Sequence, residues 1–199
     1  GLSDGCEWTV EVAPSEISRE KLDVLAEGGV TRISLGVQTF SSDMMKSLGR
    51  DHKVEKVFSA YSMIREKAAF LVNMDLLFGA PGQTLDMWAL DLTTAAELEP
   101  DHLSTYCLTF EEDTAMYVRL SEGKVELDIE REAEFYEKAW SMLPQFGFPQ
   151  YEVSNFARPG RACLHNLNTW RMHEWIGYGP GASTQHKGVR RKNSANLEK

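Results

Sequence analysis

Two carboxylates and an amide, Glu11, Asp75 and Gln38, stand with the hydroxyl of Thr109 at the ends of extended runs. Gathered in one cavity, they would supply acceptors and donors for a polar organic ligand carrying amine and hydroxyl groups. Arg50, just past Gly49, adds a guanidinium suited to clamping a carboxylate. Asp75 sits in NMDLLFGAPGQT, residues 73–84, where an apolar run breaks into Gly79, Pro81 and Gly82 and leaves a polar side chain at the mouth of a buried strand. A second stretch, YEVSNFARPGRACLHNLNTW, residues 151–170, collects Tyr151, Asn155, Cys163, His165, Asn166 and Trp170 in an order that no amphipathic period explains. A purely structural reading stands beside this one: Asp75 would hold its turn, Glu11 would face solvent, and Arg50 would be a surface residue.

The elements that must position these groups alternate. Residues 8–12, 32–37, 71–77 and 102–109 read as strands, each followed by turn residues and a helix, the pattern of a parallel sheet with helical crossovers. Ser18 caps a helix that Gly28 and Gly29 end. Val54, Val57, Tyr61 and Ile64 form one apolar stripe, Leu85, Trp88, Leu92 and Ala95 a second, and Ala133, Tyr136, Trp140 and Leu143 a third. Strand parity puts Trp8, Val10 and Val12, Ile33, Leu35 and Val37, and Val72, Met74 and Leu76 on one face. Glu11, Ser34, Gly36, Gln38, Asn73 and Asp75 fall on the other. A sheet covered by helices on both faces would be apolar on both. One polar face instead points to a TIM-like (β/α) barrel or partial barrel with a ligand-holding lumen, where the C-terminal strand ends carry function. The fourth strand fits less cleanly, because neither Ser104 and Tyr106 nor Thr105 and Cys107 make an apolar face.

Composition narrows the classes. The chain has 199 residues, 42% of them apolar, enough for one large domain or part of one. A net charge of −9 argues against nucleic acid and anionic membranes as bulk partners. No apolar stretch approaches the roughly 20 residues of a bilayer span, and GLSDGCEW lacks the character of a signal peptide, so the expected setting is cytoplasmic. Cys6, Cys107 and Cys163 are scattered, and neither a disulfide framework nor a CxxC knuckle can be drawn from them.

Seven segments in order then carry a resemblance: VEVAP, GVTRISLGVQTF, LGRDH, NMDLLFGAPGQT, HLSTYCLT, YEVSNFARPG and HNLNTW. Together they resemble the radical S-adenosylmethionine (SAM) family of oxygen-independent coproporphyrinogen III oxidase, and the last segment is more similar to its haem-chaperone paralogues. The resemblance implies a partial (β/α) barrel over residues 1–145 and a family-specific extension over 146–199. It further implies SAM across the strand ends, bound to a 4Fe-4S cluster. Glu11, Gln38, Arg50 and Asp75 match the family's cofactor-binding positions, with Leu77 and Thr109 as neighbours. Glu11 and Asp75 would hold polar groups of the ligand, Gln38 the ribose region and Arg50 a carboxylate.

Three departures accompany it. The family's CxxxCxxC motif and its GGTP-like segment do not occur, so the chain reads as a fragment truncated at the N-terminus and is expected neither to assemble the cluster nor to cleave SAM. It also stops before the family's usual C-terminal helical domain. Thr169 replaces a tyrosine of the HNxxYW segment, which leaves His165 as the natural nitrogen ligand for a haem iron and Cys163 as an alternative sulfur donor. A hydrogen-bonded loop anchor is the competing reading of His165. The glycine-rich residues 177–184 open no amphipathic helix, and a phosphate loop is a weak reading of them. His102 beside Asp101, at a strand start, reads as structural. Glu111, Glu112 and Asp113 read as a solvated loop, and no hydrolase motif is present.

Two functions from different classes follow. One is a haem chaperone that binds haem and SAM and hands haem to an acceptor protein. The other is an oxidase that decarboxylates porphyrinogen propionates through a 5′-deoxyadenosyl radical. An unrelated TIM-barrel small-molecule enzyme is a third reading, which leaves the motif series unexplained. A barrel opened at residues 8–12 would expose a strand edge, so self-association through that edge is also expected.

Overall fold

Alternating apolar and polar residues along 32–38 and 71–78 produce strands with one face for helices and one for polar groups. The computed structural model describes residues 5–49, 53–109, 118, 122 and 128–196. Its chain forms two compact units, residues 1–161 and 162–199. In the first, β1 (Thr9–Val12), β2 (Arg32–Gln38), β3 (Leu71–Phe78) and β4 (His102–Cys107) are parallel neighbours in that order. A short β5 (Asn155–Ala157) joins β4 antiparallel. Among the described residues β1 and β5 each have a strand on one side only, so the sheet is open, as a partial barrel requires.

Helices α1 (Arg19–Glu27), α2 (Ser42–Ser47), α3 (Val54–Lys67), α4 (Leu85–Glu97) and α5 (Ile129–Met142) occupy the connections. Side-chain oxygens of Ser18, Ser41, Thr84 and Asp128 cap four of them, accepting from the otherwise unpaired amides of Lys21, Met44, Met87 and Arg131. One core cluster joins Ile33, Leu35 and Val37 of β2, Val72, Met74, Leu76 and Phe78 of β3, and Leu103 of β4 to Val57, Ala60 and Ile64 of α3 and Trp88, Leu92 and Ala95 of α4. Fully burying each large aliphatic side chain there is worth about 1.5–3 kcal/mol.

Two expectations need correction. The stripe of α5 is Phe135, Ala139 and Leu143, all buried, whereas Ala133 and Trp140 are exposed and Tyr136 is half-buried. The helix is rotated because Phe135 stacks on Phe78 at 5.8 Å and its carbonyl accepts from the Trp88 indole at 3.0 Å. The mixed fourth strand also resolves. Leu103 and Thr105 pair beside Met74 and Leu76 on the helix side, where the Thr105 hydroxyl donates to the Ser154 carbonyl, while His102, Ser104 and Tyr106 complete the polar face.

The YEVSNFARPG segment belongs to the first unit through β5, and the boundary between the units falls at 161/162. The second unit holds α6 (Leu164–Trp170) and a hairpin of β6 (Ser183–His186) and β7 (Val189–Lys192). A Cβ on Gly177 would stand 2.2 Å from the Ser183 carbonyl oxygen, and the Gly177 amide donates to the Thr184 hydroxyl. The glycine-rich run therefore packs as backbone against β6 and does not open a helix. No described helix is long and apolar enough to cross a membrane.

Candidate functional site

Register across the sheet aligns polar residues in rows on one face. Glu11 pairs with Ser34, Ser34 with Asn73, and Asn73 with His102. In the next row Gly36 pairs with Asp75, Asp75 with Ser104, and Ser104 with Asn155. These side chains bond into one network. The Asn73 amide donates to Ser34 at 2.7 Å and to Asp75 at 2.8 Å, and Ser34 donates to the other Asp75 oxygen at 2.7 Å. Asn73 Oδ1 lies 2.6 Å from His102 Nδ1, His102 Nε2 lies 2.7 Å from the Tyr151 hydroxyl, and Ser104 donates to Asn155 at 2.6 Å.

The donor inventory fixes the His102 tautomer. Asn73 spends both amide hydrogens on Ser34 and Asp75 and presents its oxygen to the ring, so Nδ1 carries the proton and Nε2 accepts from Tyr151. His102 is neutral because burial, and secondarily the Arg32 guanidinium, pushes its pKa down to about 3. Arg32 is itself buried and pairs with Glu7 at 2.9 Å. Both groups close the N-terminal end of the polar face, the end that carries stability in barrel folds.

Asp75 is the pivot of the network. Burial raises its carboxyl above the ordinary range; hydrogen bonds from Ser34 and Asn73 oppose that shift and the Glu11 charge reinforces it. Glu11 is exposed at the sheet edge and makes no hydrogen bond into this network among the described residues, which makes it an accessible acceptor beside an ordered one. Gln38 and Leu77 are half-buried at the C-terminal ends of β2 and β3, and Thr109 is exposed just past β4. Gln38 folds its amide back over Gly36, where a Cβ would come within 3.1 Å of Nε2. Four expected positions, Glu11, Gln38, Asp75 and Leu77, thus share the polar face; Thr109 follows its rim, and Arg50 lies outside the described residues. Sequence reasoning missed Ser34 and Ser104 as partners of Asp75 and Asn155, although the parity that selected Asp75 also selects Ser34.

In the second unit, His165 is exposed on α6, and Cys163 is buried at the position preceding that helix. His165 is therefore the accessible side chain of the two. The Thr169 hydroxyl is buried without a hydrogen-bond partner among the described residues. Cys6, Cys107 and Cys163 form no disulfide, and among the described residues no three His, Cys, Asp or Glu side chains gather to hold a metal. These donors do not fit a 4Fe-4S cluster.

Residues 2–93 match the radical SAM superfamily. Those residues form a radical SAM domain. It is 41% identical over 192 residues to the heme chaperone HemW of Bacillus subtilis, covering 96% of this chain and 51% of that protein. It is 38% identical over 182 residues to the mitochondrial radical S-adenosyl methionine domain-containing protein 1 of Danio rerio, covering 91% of this chain and 41% of that one. The radical SAM chain thus spans about half the length of the curated relatives it matches. Among solved structures, the radical SAM enzyme coproporphyrinogen III oxidase HemN from Escherichia coli superposes with a TM-score of 0.77 at 24% identity, covering 96% of this chain and 47% of that one. That likeness establishes the shared fold.

Proposed function

We propose that this radical SAM chain forms the SAM-holding part of a haem chaperone, with haem on its second unit. SAM presents an ammonium, a carboxylate, a sulfonium and ribose hydroxyls. Asp75 and Glu11 are the acceptors for its positive and hydroxyl groups, Gln38 meets the ribose, Leu77 gives an apolar wall, Thr109 the rim, and Arg50 the carboxylate clamp. Gly36 supports this assignment by leaving room on the polar face for the returning Gln38 amide. Family membership implies a 4Fe-4S cluster as well, but the donors described here do not fit one, so we assign these residues no part in cluster ligation.

The observation that carries the chaperone reading is the extent of the likeness. Superfamily sequence is matched to residue 93, whereas the likeness to the B. subtilis heme chaperone takes in 96% of the chain. His165 is the iron ligand of this reading and Cys163 the alternative donor. A haem-acceptor protein is the downstream partner, and the cytoplasm the setting. Decarboxylation of coproporphyrinogen III is supported by shared fold alone.

A haem titration followed by Soret absorbance, on this chain and its His165→Ala variant, tests the reading. Saturable binding that the variant loses is expected. Absence of binding by the unchanged chain would refute the haem half.

A further inference from the structure

We propose that Asp91, in the middle of α4, is a positioning residue that holds Gln38 in its ligand-facing conformation. This rests on the reading of Gln38 as a SAM contact. The register of β2 against β3 shifts between Gly36 and Gln38, and Gln38 has φ 67°, a conformation that non-glycine residues seldom adopt. The Thr39 amide donates to the Val37 carbonyl at 2.9 Å, which closes a three-residue turn centred on Gln38. Strained turns of this kind persist only where their surroundings over-determine them.

Asp91 supplies that constraint. One carboxylate oxygen accepts from the Thr39 hydroxyl at 2.8 Å and the other from the Phe40 amide at 2.7 Å. Thr39 Oγ1 also accepts from the Ser41 amide at 3.0 Å, and Ser41 caps α2, so the same carboxylate fixes the start of the next helix. Thr39 is fully buried and Asp91 is 2% exposed. Trp88 and Leu92, both fully buried, anchor this turn of α4 in the core. A buried carboxylate among apolar neighbours carries a desolvation cost, and its hydrogen bonds from Thr39 and Phe40 serve the residues following Gln38. The turn in turn places the Gln38 amide over Gly36, beside Asp75 on the neighbouring strand.

The test is SAM affinity by isothermal titration on the chain, with amide exchange at Phe40 read by NMR. Asp91→Asn puts an amide NH2 against one of the two donors. Thr39→Val removes the hydroxyl with little change of shape, and keeps the test open should the Asp91 variant not fold. Each is expected to weaken SAM binding about tenfold and to speed exchange at Phe40, while Thr39→Ser restores both. Because Asp91 acts through Gln38, the double variant Asp91→Asn/Gln38→Ala should bind no worse than Gln38→Ala alone. Full additivity, or affinity unchanged in Asp91→Asn while Gln38→Ala weakens binding, overturns the role. An unchanged chain that does not bind SAM, or that Gln38→Ala matches, overturns the ligand assignment itself and this role with it.

Discussion

His102 should make the chain acid-labile well above the ordinary carboxylate range. It is 1% exposed, with both ring nitrogens engaged, and its pKa is pushed from 6.5 down to about 3 by burial first and the Arg32 guanidinium second. The folded chain keeps the ring neutral to about pH 3, while the unfolded chain takes up a proton near 6.5. Its stabilising contribution is therefore complete above about pH 6.5 and is lost progressively as pH falls. Linkage gives a loss of about 2 kcal/mol at pH 5 and roughly 4–5 kcal/mol by pH 3, a large share of the stability of an ordinary domain. The assay is urea unfolding followed by tryptophan fluorescence, near pH 7.5 and near pH 5, for the chain and for His102→Asn. Asparagine keeps a donor for Asn73 Oδ1 but cannot titrate, and it leaves the Tyr151 hydroxyl without its ring acceptor, at a cost of about 1–3 kcal/mol at the higher pH. Groups away from the network titrate equally in both proteins and cancel in the difference. The stability gap should narrow by about 2 kcal/mol at pH 5. A gap that does not change with pH would refute the buried, neutral His102 and the tautomer argument built on it.

Asp91 should act with the opposite sign. Burial raises its pKa from 3.8 to about 6 against the hydrogen bonds from Phe40 and Thr39, so the stability linked to its protonated form is present below about 3.8 and lost as pH rises through about 6. Relative to Asp91→Asn, the unchanged chain should gain roughly 1 kcal/mol on going from pH 7.5 to pH 5 in the same unfolding assay, and a loss would contradict the burial argument. Cys107, pushed up to about 12 by burial first and the nearby Glu132 second, should react with iodoacetamide at pH 8 far more slowly in the folded chain than in urea. Peptide mass spectrometry reads that ratio, and equal labelling in both states would show an accessible thiolate instead.

How much of this was legible in the sequence depended on the distance over which each side chain finds its partner. Parity along β2 and β3 is local, so it correctly separated Ile33, Leu35 and Val37 from the polar face and put Asp75 on that face, although Asp75 lies within β3, three residues before its end. Thr105 is ambiguous by parity because a hydroxyl on the helix side is acceptable only once Ser154, 49 residues away, offers its carbonyl. The rotation of α5 depends on Phe78, a partner on β3 that periodicity within the helix does not register.

Asp91 is the most instructive omission. In sequence it is a charged residue beside Leu92 of an apolar stripe, yet it is buried, accepting from Thr39 and Phe40, 52 and 51 residues away. The turn at Gln38 gives no local warning, since glutamine carries no preference for positive φ. Local rules fail at Gln38 and at Asp91, and the two failures are halves of one arrangement: the unfavourable backbone of one is held by the unfavourable burial of the other. Features that cost stability in this way persist where function fixes them. On the proposed reading of Gln38, the pair, more than the well-behaved core around it, marks the ligand-holding end of the sheet.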